Sequence, residues 1–116
     1  MPHLDRQSEM ELAALLHGQA RAIDQPAPTT AELLDRYASR INDQSSVAEA
    51  LVELDRYAQH YKGLLDVVVP GVSESDWRIF VHSVRRLTRR AMQQRGLDSS
   101  IIGRLHGLVG KMRHAP

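Results

Sequence analysis

Apolar residues return every three or four positions along most of this chain, the spacing of one face of an α-helix, and no segment alternates with the period of a strand. Four hydroxyl–acid pairs spaced as capping boxes punctuate the pattern: Ser8 with Glu11, Thr29 with Glu32, Ser46 with Glu49, and Ser73 with Asp76. In such a box the hydroxyl accepts from an orphan amide of the first turn, and the acid sits near the positive end of the helix dipole. Each pair precedes an apolar stripe. The expectation is an all-α, compact bundle of about five helices with short loops and no sheet, a single helical domain over residues 1–116.

The stripes place the helices at about 9–24, 30–42, 47–66, 74–95 and 99–113. The first buries Leu12, Leu15, Leu16, Ala20 and Ile23, and "DQPAPTT" ends it, because Pro26 and Pro28 lack the amide hydrogen that continues a helix. The second buries Leu34, Tyr37, Ala38 and Ile41. The third carries Leu51, Leu54, Ala58, Tyr61 and Leu65 before "VVVPG", which reads as a buried connector. The fourth has Trp77, Phe80, Val81, Val84, Leu87 and Ala91 on one side and closes at Gly96, a residue at ease in a left-handed C-terminal position.

The pentapeptide LDRYA occurs twice, at residues 34–38 and 54–58. In each copy Leu, Tyr and Ala fall on one helix face, with Asp and Arg turned toward water. Glu32 precedes Arg36 by four residues and Glu53 precedes Arg56 by three, so each arginine has an acid within reach on its own helix. With no third copy and little similarity outside the five letters, LDRYA reads as scaffold joining the second and third helices, with Tyr37 and Tyr57 mostly buried.

Composition changes this picture little. The chain is 42% hydrophobic and 25% charged, as expected of a globular domain, and cysteine is absent, which excludes disulfides, thiolate metal sites and a Cys nucleophile. The first ten residues lack a secretory pattern and no apolar run is long enough for a bilayer, so a soluble cytoplasmic protein with no membrane association is expected. Charge changes the picture more. Residues 1–76 hold 6 Lys and Arg against 13 Asp and Glu, a net of −7, whereas residues 77–116 hold 9 against 1, a net of +8. That asymmetry points to an anionic partner, or to neutralisation of one half by the other within the fold.

Enzyme signatures are missing: there is no phosphate-binding glycine loop, no Gly-x-Ser-x-Gly and no His-Glu-x-x-His, and the six histidines contain no i, i+4 pair. No catalytic residue, cofactor or metal is expected. The sharpest surface is the fourth helix, where Arg78, His82, Arg85, Arg86, Arg89 and Arg90 lie opposite the apolar stripe. Like charges crowded in this way need an anion nearby, and phosphates suit guanidinium groups well. After this helix, "AMQQRGLDSSIIGRLHG" resembles a helix-turn-helix over about twenty residues, with Gly96 at the turn and Ile102 and Leu105 inward. Met92 departs from that pattern, because the family has Ala or Gly there.

The expectation is therefore a non-enzymatic helical protein associated with nucleic acid, a small regulator or a small subunit of a nucleoprotein complex. Its phosphate contacts would come from Arg78, Arg85, Arg86, Arg89, Arg90, Arg104, Lys111 and Arg113. The alternative is a protein–protein interaction module, an adaptor, chaperone or assembly subunit, whose basic face or tyrosine edge docks an acidic partner. Either is compatible with a homo-oligomer or a place in a larger complex.

Overall fold

A computed structural model describes residues 6–59 and 62–97, and these residues are helical with no strand among them. Four α-helices follow in chain order: α1 (Gln7–Ile23), α2 (Pro28–Asn42), α3 (Val47–Gln59) and α4 (Glu74–Gln94). A single 3-10 turn, Leu64–Asp66, lies between α3 and α4. The fifth expected helix, at 99–113, falls outside the described residues, as does the second helix of the helix-turn-helix resemblance.

Helix α1 packs against both α2 and α4, and α3 packs against α4 and α2, so the four apolar stripes close on one core. Leu12, Leu16, Ile23, Leu34, Ile41, Leu51, Leu54, Val81 and Val84 are essentially sealed from water. Each fully buried side chain of this size contributes roughly 1.5–3 kcal/mol relative to exposure. Two buried polar groups are satisfied locally. The Trp77 indole Nε1 donates to the Leu64 carbonyl at 2.8 Å, and the Thr88 hydroxyl donates to the Val84 carbonyl at 2.6 Å.

The helix ends differ instructively. At α4 the expected cap forms: the Ser73 hydroxyl accepts the Asp76 amide at 3.0 Å. Its far end closes as a Schellman motif, with Gly96 at φ 74°. There the Leu97 amide reaches the Met92 carbonyl at 2.7 Å and the Gly96 amide reaches Gln93 at 3.0 Å.

The other three boxes do not cap. Helix α1 starts earlier than expected, because Glu9 is drawn into the core by two arginines and takes Ser8 into the first turn with it. Helix α2 starts at Pro28, whose missing amide hydrogen costs nothing at a first-turn position. The Ser46 hydroxyl donates to the Arg40 carbonyl at 3.2 Å, tying the end of α2 to the start of α3.

The third helix is shorter than its stripe suggested. It ends at Gln59, and by Lys62 the backbone is left-handed (φ 65°), with the Lys62 amide donating to the Asp66 carboxylate at 2.6 Å. The break rotates the chain, so Leu64 is sealed while Leu65, expected inside, is 43% exposed. The valine connector is likewise only partly buried: Val69 is inside, but Val68 is 87% exposed.

Both LDRYA copies meet at the α2–α3 seam. Leu34, Leu54, Ala38 and Ala58 are buried, as expected. The tyrosines are partly buried against the core, each with a minor part exposed, and stack on each other with ring centroids 6.4 Å apart and planes 20° from parallel. Burial raises both phenol pKa values. Glu53 pairs across the seam with Arg40, not with Arg56. The hydrogen bond that Arg40 donates to that carboxylate raises the Arg40 pKa.

Candidate nucleic-acid interface

Helix α4 has its sides set by sequence. Trp77, Phe80, Val81, Val84, Leu87, Thr88, Ala91 and Met92 are buried where α4 packs against α1 and α3, and the opposite arc of the helix is left to face solvent. At 100° per residue the arginines fall into that remaining arc. An open depression of about 410 Å³ lies along it, lined by His82, Arg85, Arg86, Arg89, Arg90 and Gln93. Four of the eight expected contact residues therefore share one surface. Arg78 lies on the same helix, one turn before His82. Arg104, Lys111 and Arg113 are outside the described residues.

The arginines of α4 are not equivalent. Arg78 pairs with Glu74 one turn earlier at 3.4 Å, an exposed contact worth a few tenths of a kcal/mol at most. Arg89 has its Nε 3.9 Å from Asp55 of α3. That aspartate belongs to the second LDRYA and was expected to face water. It is only 6% exposed, and it accepts a hydrogen bond from Gln59 at 2.8 Å. The first copy's Asp35 is exposed and binds His17 instead, Nδ1 to Oδ1 at 2.7 Å. Identical pentapeptides thus do different work because different helices lie beside them.

Among the described residues Arg85, Arg86 and Arg90 have no carboxylate within ion-pair distance. The Nε of Arg85 is shielded from solvent and has no hydrogen-bond partner there. A desolvated guanidinium nitrogen without an acceptor is unfavourable by itself. Three unpaired cations on adjacent turns repel one another in the same way and gain together when an anion arrives.

Two features of consequence had no local signal in the sequence, the first a buried ion cluster. Arg95, at the C-terminal end of α4, donates from Nε and from a terminal nitrogen (2.8 Å) to the Glu9 carboxylate. Arg6 donates its Nε to the same carboxylate at 2.9 Å, and a terminal nitrogen to the Ile41 carbonyl at 3.2 Å. This buried cluster ties the ends of α1, α2 and α4 together across 86 positions of sequence. The second is Ile79, 63% exposed on the arginine side of α4.

Among the described residues no group of three His, Asp or Glu is placed to hold a metal ion, and no helix is long and apolar enough to cross a membrane. No family model, no curated protein and no solved structure matches this chain.

Proposed function

We propose that the protein is a non-enzymatic, nucleic-acid-associated helical protein that grips phosphates through the outward face of α4, as a small regulator or a small subunit of a nucleoprotein complex. The observation that carries this reading is the set Arg85, Arg86 and Arg90, adjacent on one helix, without an acid in reach among the described residues, around an open depression. Elsewhere among the described residues Arg36 is matched to Glu32 and Arg40 to Glu53, while Arg21 and Arg56 also stand without an ion pair, so what sets Arg85, Arg86 and Arg90 apart is that three such cations crowd one helix face. Guanidinium groups bind phosphate through charge-assisted, often bidentate contacts, and each phosphate neutralised releases condensed counterions. The depression is built from side chains of one helix, so it suits a linear polyanion lying along α4 better than a small enclosed ligand.

A fluorescence-anisotropy titration with a duplex and with a single strand, repeated across a salt series, tests the reading. Binding to at least one of them is expected, with log affinity falling linearly in log salt at a slope of about −0.7 to −0.9 per phosphate engaged. Absence of binding to both at low salt defeats it, and an acidic protein partner then becomes the reading to pursue.

A further inference from the structure

Beyond phosphate contact, and resting on that reading, we infer that Ile79 is the residue that touches bases, giving α4 a base-contacting end and a phosphate-gripping end. A single exposed isoleucine on a protein surface is ordinary. Its placement here is informative. Ile79 turns away from Trp77, Phe80 and Val81, which enter the core, and is 63% exposed, the only large aliphatic of α4 among the exposed ones. On a helix, residues seven and eleven positions on return to within about 20° of the same direction. Ile79, Arg86 and Arg90 therefore form one line along the crest, with the arginines about 10 Å and about 16 Å from the isoleucine along the axis.

A second open depression of about 380 Å³ surrounds Ile79, lined also by Glu74, Ser75, Arg78 and His82. His82 lines both depressions, so the two adjoin and together mark a trough along the helix. Its chemistry changes from end to end. Toward Gln93 it is cationic, with Arg85, Arg86 and Arg90 unpaired among the described residues. Toward Ser75 the Glu74 carboxylate already holds Arg78 at 3.4 Å, so little positive charge is left to attract a phosphate. A strand lying in this trough would place its backbone at the Arg86–Arg90 end. What meets Ile79 is then the uncharged, partly apolar portion of a nucleotide. An aliphatic side chain can contact the thymine methyl group or press against a base step, and it makes no counterion-releasing contact.

The experiment compares wild type, Ile79→Ala and Ile79→Leu on two probes, a thymine-containing single-stranded DNA oligonucleotide and inorganic polyphosphate, which has the charge without the bases. Ile79→Ala is expected to weaken DNA binding roughly threefold to tenfold, the range for losing part of one buried aliphatic contact, with the salt slope unchanged. Its polyphosphate affinity should equal that of wild type, and Ile79→Leu should restore most of the DNA affinity. Equal DNA affinity for Ile79→Ala and wild type overturns the inference, as does a parallel loss on polyphosphate. Both of those outcomes leave the phosphate reading standing. Failure of wild type to bind either probe at low salt removes the phosphate reading itself. Because Ile79 is exposed, the substitutions should leave the thermal midpoint unchanged, and a circular-dichroism melt checks this before binding is compared.

Discussion

At the C-terminal end of α4, Arg95 joins Arg6 around the Glu9 carboxylate, which is fully buried; one and two turns earlier on the same helix, Arg90 and Arg86 stand in solvent with no acid within reach among the described residues. The residue type is the same and the neighbours differ. Around Glu9 every charge has a partner, and the cluster joins three helix ends, which is what a structural ion cluster looks like. Along the crest the cations are exposed, mutually repulsive and unneeded by the core. That contrast separates arginines that hold the fold from arginines free to hold something else. It also answers the charge asymmetry: α4 is matched to the acidic half through Glu9, and loosely through Asp55, but the matching stops short of Arg85, Arg86 and Arg90.

The largest effect should come from breaking the buried cluster. Glu9→Ala leaves two partly shielded guanidinium groups facing a cavity, and a loss of about 3–5 kcal/mol is expected, read as a shifted urea midpoint. A loss below about 1 kcal/mol would erase the distinction between the two regions.

The complementary change is Arg85→Gln, Arg86→Gln and Arg90→Gln together. Stability should move by no more than about 0.5 kcal/mol per site, because these side chains complete no pair. The log–log salt slope for nucleic-acid binding should fall by about three. A marked fall in stability with binding unaltered would reassign the crest to internal charge balance.

The smallest effect concerns the α2–α3 turn, away from both regions. The Ser45 amide and hydroxyl donate to the Asp43 carboxylate at 3.0 and 2.9 Å, holding its pKa below the usual carboxylate value. A depressed carboxylate contributes stability above its unfolded-state pKa and loses it as pH falls through the lower folded value. Wild type should therefore be slightly more stable than Asp43→Asn at neutral pH, and the two curves should converge in acid. A gap that persists unchanged below the folded value would show that the carboxylate charge is not the cause.

Much of this arrangement was legible along the chain because it depends on near neighbours. The α4 stripe and its opposite arginine face follow from helical periodicity alone, and Ser73 and Gly96 mark its ends through contacts within six residues. The other caps were not legible, since Ser8, Thr29 and Ser46 had competitors that sequence spacing does not reveal: a core arginine pair, a proline start and a carbonyl of the preceding helix. The third helix was overextended because its apolar stripe ran on through Leu65, whereas a left-handed Lys62 turned the chain and put Leu64 inside. On the candidate face, the basic residues were visible as a pattern. Which of them were already paired was not.

By itself the sequence determined the helical class, the side of each helix that is buried, and the concentration of positive charge on α4, all consequences of a 3.6-residue period acting on local composition. Tertiary structure alone decided that Arg95 closes on Glu9 from 86 positions away, that Asp55 is enclosed while Asp35 is exposed, and that Arg85, Arg86 and Arg90 stay unpaired among the described residues. Those outcomes depend on distances across the core. An ion pair forms where helices bring charges within a few ångströms and exclude water, and no periodicity along one helix encodes that meeting.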